Sequence, residues 1–117
     1  ESALADNADV LARFLTAVSK GWGYTHEHPE EAVEITVKAY PNLDLEVEKS
    51  TIQMVLDLSF DANTAKMGWG TFEPTDIGAQ IDLMDEIGMF KGATKPVLEE
   101  SVTTAILEKT AADRPKY

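Results

Sequence analysis

The sequence predicts an all-α fold of about five helices, and three observations carry that reading. Apolar residues recur at three- and four-residue spacing, as in Val10, Leu11, Phe14, Leu15, Val18 and Trp22. Proline and glycine punctuate the intervals between such runs, at Pro29, Pro41, Pro74, Gly88 and Pro96. No stretch alternates apolar and polar residues with the period of two that a half-buried strand requires. The chain has 117 residues, 44% of them hydrophobic, which makes residues 1–117 one unit with enough apolar material for a core.

The first helix starts at Asp6 or Asn7, either of which can accept a hydrogen bond from a first-turn amide, and Asp9 complements the positive helix end. It runs through Lys20-Gly21-Trp22. Gly21 and Gly23 weaken an isolated helix, so their expected use is the close approach of another segment, with Trp22 inserted beside them. The second helix spans Pro29 to Ala39, because proline costs nothing at the first helical position and Glu30 and Glu31 suit the dipole. Ala32, Val33, Ile35, Val37 and Ala39 spread around more than one of its faces, which suits contact from two sides. Tyr40-Pro41-Asn42 stops it. A third helix starts at Asp44 and ends near Phe60, and Asp61 to Pro74 reads as a loop by composition. Thr75 or Asp76 opens a fourth helix, with Gly88 as a left-handed stop. The last helix begins between Pro96 and Ser101 and carries Leu98, Val102, Ala105 and Ile106. Asp113 to Tyr117 reads as a frayed end. The expected shared core is Phe14, Leu15, Val18, Trp22, Val33, Ile52, Leu56, Ile81, Met84 and Ile106.

Ten Lys and Arg against 21 Asp and Glu give a formal charge of −11, which repels phosphate backbones and anionic membrane surfaces. Nucleic acid is excluded as an expected partner. The absence of cysteine removes disulfides, thiolate metal sites and thiol nucleophiles. No apolar run approaches the roughly 18 to 20 residues of a spanning helix. Glu1-Ser2-Ala3-Leu4 lacks a signal pattern, so any export signal would lie on sequence outside this chain.

His26-x-His28 brings two imidazoles beside Glu27, Glu30 and Glu31, which are ligand types that zinc or nickel accepts. The spacing is not the i, i+4 pair of a helical metal site, and a polar helix-to-helix corner explains the residues as well. No metal and no cofactor is expected. The pairs Glu30/Glu31, Asp82/Asp85/Glu86 and Glu99/Glu100 fall on polar faces rather than in the apolar pockets that acid–base catalysis needs. Ser19, Ser50, Ser59 and Ser101 have neither a nearby histidine nor a Gly-x-Ser-x-Gly turn. No enzyme activity is expected, and no catalytic residue is assigned. Met67-Gly68-Trp69-Gly70-Thr71-Phe72 alone resembles a binding loop, since glycines admit a ligand to the backbone and Trp69 and Phe72 offer flat faces. The same pattern also reads as a loop whose two aromatics plug the core beneath it.

Four segments, taken in order, resemble a known family. They are Phe14-Leu15 to Gly21-Trp22, Pro29-Glu30-Glu31-Ala32-Val33, Gly68-Trp69-Gly70, and Leu83-Met84-Asp85-Glu86-Ile87-Gly88-Met89-Phe90. Their order and spacing are similar to the C-terminal helical portion of ABC-importer solute-binding proteins in the taurine, aliphatic-sulfonate, nitrate and thiamine-pyrimidine-precursor group. One departure is Ile77-Gly78-Ala79, where many relatives carry a tryptophan. The resemblance implies the helical part of a two-lobed α/β, type II periplasmic-binding fold whose ligand lies between lobes. It implies a periplasmic or lipid-anchored extracellular location, a small organic ligand held mainly by residues outside this chain, and an ABC permease as partner. Two other readings stay open: a thiamine-pyrimidine-synthase-like enzyme of the same fold, whose histidine and cysteine-rich iron motif this chain does not match, and a stand-alone acidic helical interaction module. Uncovered helix faces imply a homodimer or association with the rest of the same protein.

Overall fold

The N-terminal amphipathic run folds as one long element, α1 (Ser2–Glu27), in a computed structural model that describes residues 2–117. The backbone of Asn7 leaves helical values (φ −129°, ψ 22°) and kinks α1 there. A helix thus starts afresh after Asn7, where the sequence places a capping residue, and the backbone from Ser2 is already helical before the kink. Beyond it the helix passes both glycines. A Cβ on Gly23 would stand 3.3 Å from that of Pro115, whereas one on Gly21 would meet nothing, so only Gly23 serves a close approach.

Helices α2 (Pro29–Ala39) and α3 (Leu45–Ser59) have the expected bounds. Asp44 caps α3, its carboxylate accepting the amides of Glu46 and Val47, each at 3.0 Å. The two helices lie against each other and α2 against α1, and Val33 and Leu56 are the large side chains buried between them. The stretch expected to be only a loop contains a further helix, α4 (Ala62–Met67). Asp61 nucleates it by accepting the amides of Asn63 and Thr64. Helix α5 (Pro74–Glu86) ends before Gly88, which is left-handed (φ +72°) as a stop requires. Lys95 then bridges back to Asp82 at 2.7 Å and Asp85 at 3.7 Å.

The single last helix comes as two short ones, α6 (Leu98–Ser101) and α7 (Ala105–Lys109), the break falling at Val102-Thr103-Thr104. Thr103 Oγ1 accepts the Ala105 amide at 3.3 Å, a local bond that competes with continuing the helix. Helix α6 packs on α5, while α7 and a 3-10 turn at Ala111–Asp113 pack on α1. Among the described residues there are seven α-helices and no strand.

The expected core is corrected at two positions. Phe14 is 66% exposed and Met84 is 38% exposed. Helix α1 is covered by α2 on one side and by α7 with the C-terminal residues on another, and Val10 and Phe14 lie on a face left more than half exposed. Val33 and Leu56 are buried as expected, and Leu15, Val18, Trp22, Ile52, Ile81 and Ile106 are half-buried. The reading of Asp113–Tyr117 as a frayed end is also corrected: Arg114 is only 6% exposed, and Tyr117 stacks on His26.

Candidate functional site

Aromatic residues from four parts of the chain converge at the C-terminal half of α1. The Trp22 ring stacks on Trp69 with centroids 5.1 Å apart and an interplanar angle of 21°, and Phe60 tilts against Trp22 at 6.5 Å. His26 lies parallel to Tyr117 at 4.0 Å and edge-on to Phe60 at 4.6 Å. His28 instead tilts against Tyr24 at 4.8 Å. The two histidines of the expected polar corner are therefore each taken up by aromatic rings.

The loop bearing Trp69 is fastened by the C-terminal residues. Gly68 has φ +93° and ψ 157°, a conformation in which only glycine is comfortable, and a Cβ there would lie 2.6 Å from the Arg114 Cβ. The Trp69 amide donates to the Pro115 carbonyl at 3.0 Å. The Arg114 guanidinium donates through Nη2 to the Leu107 carbonyl and Thr110 Oγ1, both at 2.7 Å, and through Nη1 to the Trp69 carbonyl at 3.3 Å. Its Nε is buried without an acceptor among the described residues. Burial lowers the Arg114 pKa from its ordinary value, yet a guanidinium titrates so far above neutrality that it stays charged. Thr71 closes the turn by donating to the Gly68 carbonyl at 2.7 Å.

Beside this fastened loop lies a cleft of about 370 Å³ between the end of α3, α4 and the start of α5. That is within the usual size range of small-molecule sites. Trp69 and Phe72, the two binding candidates read from the sequence, both line it and are both half-buried. Trp69 thus serves the core through Trp22 and the cleft through its remaining surface. Leu58, Met67 and Ile77 supply apolar wall, and Ser59, Asn63, Thr64 and Gln80 supply neutral polar groups. Three carboxylates, Asp61, Glu73 and Asp76, complete the lining, which includes no Lys, Arg or His. Asp61 is already committed. The backbone amide of Thr64 above all, and then its hydroxyl, hold the carboxyl below the usual carboxylate range, which disqualifies it as a general base near neutrality.

Arg114 and Tyr117 escaped the sequence reading because a basic, proline-containing terminus carries no periodic signal. The short helix α4 did leave one, the Asp61-x-x-Thr64 cap spacing, but six residues are too few to show a hydrophobic period.

Against known families, residues 1–32 match a family model described as NMT1/THI5 like. No curated protein and no solved structure matches the chain. The matched segment contains one of the four segments of the resemblance whole, Phe14 to Trp22, and Pro29 to Ala32 of a second. It is consistent with a protein of solute-binding type. The aromatic junction, the Gly68 loop and the cleft lie largely outside it.

Proposed function

We propose that this chain is the helical portion of a solute-binding protein that delivers a small organic molecule to an ABC importer from the periplasm or the outer cell surface. The observation that carries the reading is the NMT1/THI5-like match over residues 1–32, which falls on the segment where the resemblance begins. The helices would form part of one lobe, and lobe closure around the solute would need no covalent chemistry. An enzyme of the same fold has less to stand on: the chain has no cysteine, and both histidines pack against aromatic rings.

We infer that the cleft beside Trp69 contributes to that interlobe site, and its lining then favours one of the family's solute classes. Aromatic faces with carboxylates and no cation suit a neutral or protonated heterocyclic amine, the pyrimidine-precursor class, and repel sulfonate and nitrate. The test uses the complete protein encoded by the reading frame that contains this chain. Its tryptophan emission should change saturably with an aminopyrimidine and not with taurine or nitrate. A reading frame that adds no lobe of alternating strands and helices, or an emission indifferent to all three solutes, overturns the proposal.

A further inference from the structure

The chain carries 21 acidic and only 10 basic residues, yet three of the basic ones line a single groove. This groove, of about 500 Å³, runs between α1 and α7, away from the Trp69 cleft. Arg13 and Lys20 stand two turns apart on α1, about 10.5 Å along its axis. Lys109 joins them from α7. The floor is open because α1 presents only Ala12, Thr16 and Ala17 there, and Ala12 and Thr110 are themselves buried. Asp113 is the one carboxylate in the lining, and it accepts a hydrogen bond from Thr16 Oγ1 at 3.3 Å. Lys109 pairs with Asp9 at the rim, Arg13 lies near enough to help hold the same carboxyl below its usual range, and Lys20 forms no ion pair among the described residues.

We propose that this groove binds a small, multiply charged oxyanion, an organic phosphate or a polycarboxylate. The oxyanion follows from the donors. The planar fork of Arg13 matches two oxygens of one phosphate or carboxylate, Lys20 adds a mobile point charge on one side, and Lys109, shared with Asp9, adds a second on the other. The small size follows from the field of the whole chain. A polyanion extending beyond the groove meets the repulsion of the −11 surface, while a ligand seated within about one Debye length, roughly 8 Å at physiological salt, is governed by the local cations. A groove of about 500 Å³ exceeds a bare inorganic anion and leaves room for an organic body, for which Asp113 is a fixed hydrogen-bond acceptor.

Titrating inorganic pyrophosphate into the complete protein that contains this chain, isotopically labelled and at constant ionic strength set with sodium chloride, tests this through the backbone amide resonances. Saturable shifts are expected at Arg13, Thr16, Lys20, Lys109 and Thr110. Arg13→Gln and Lys20→Gln, both at exposed positions, should each weaken binding about tenfold. Lys20→Arg should retain binding, and Lys38→Gln on α2 should leave it unchanged, which separates loss of a groove charge from a folding defect or a general change in net charge. A parallel citrate titration distinguishes the sources: tighter citrate assigns the groove to polycarboxylates, and tighter pyrophosphate assigns it to phosphates. Shifts that fail to saturate, that chloride alone reproduces, or that persist undiminished in both Gln variants overturn the proposal.

Discussion

Gly68 and Arg114 hold each other in place, and much of the candidate site depends on that contact. A side chain at Gly68 would force both an unfavourable backbone conformation and an overlap with Arg114, its Cβ falling 2.6 Å from that residue's own. Gly68→Ala should therefore destabilise the chain by about 2 to 4 kcal/mol in denaturant unfolding, combining strain at a glycine-only position with overpacking. Trp69 emission should shift to the red, because the same change unseats the loop from Trp22. Asp61 makes a second expectation at this scale. Its folded pKa is depressed, chiefly by the Thr64 amide, so its contribution to stability is present above the unfolded value, near 3.9, and is lost as pH falls through the folded value. Acidification below pH about 4 should loosen α4 and alter Trp69 emission, and Asp61→Asn should remove that acid step while leaving the emission at neutral pH nearly unchanged. The Asp61 cap has a local spacing in the sequence, whereas the Gly68–Arg114 contact has none. Gly68 was visible as a loop glycine, but its partner lies 46 positions further on, in a segment whose composition suggests solvent.

At the scale of elements, the helices that were legible were those with strong local grammar. Pro29 with Glu30 and Glu31 set one boundary, and Asp44 set another through its side-chain cap. The break between α6 and α7 was not legible, because helical spacing continues across Val102 and only the local bond of Thr103 interrupts it. Phe14 shows a different limit. Periodicity identifies which residues share a stripe, but which part of a wide stripe is covered depends on where neighbouring helices settle. Here α7 and the C-terminal residues cover the side bearing Ala12, Ser19 and Gly23, and Phe14 is left 66% exposed. The consequence is measurable. A buried Phe14 truncated to alanine would cost about 3 to 5 kcal/mol, whereas the exposed residue should cost no more than about 0.5 kcal/mol. Urea unfolding of Phe14→Ala at a concentration where the chain is monomeric separates the two values.

For the whole molecule, surface area is the telling quantity. A compact chain of 12.8 kDa exposes about 6,300 Å², whereas this one exposes 8347 Å², an excess of about 2,000 Å² over that scaling. The radius of gyration agrees, at 17.5 Å against about 13 Å for a compact domain of this length. Part of the excess is apolar: Val10 and Phe14 on α1, Val47, Met54 and Leu58 on α3, and Leu83, Ile87 and Met89 at and beyond the end of α5 are all more than half exposed. An interface of standard size hides only about 800 Å² on each partner, less than half of the excess, so a small transient contact leaves most of it uncovered. Interfaces of the obligate class, which bury about 1,000 to 2,500 Å² per chain, match it. The opposing term is the charge of −11, whose repulsion is long-ranged at low salt and shortened by screening. The isolated chain should therefore be driven to associate as salt is raised, the reverse of an assembly held by ion pairs. Light scattering at increasing sodium chloride should show the mean mass rising above 12.8 kDa, with bound hydrophobic dye falling as the faces pair. Phe14→Glu should hold the chain closer to monomer at every salt concentration. A mass that stays monomeric across the series with no dye bound at low salt would mean that these faces need no cover, and the reading of the chain as part of a larger lobe would lose its physical support.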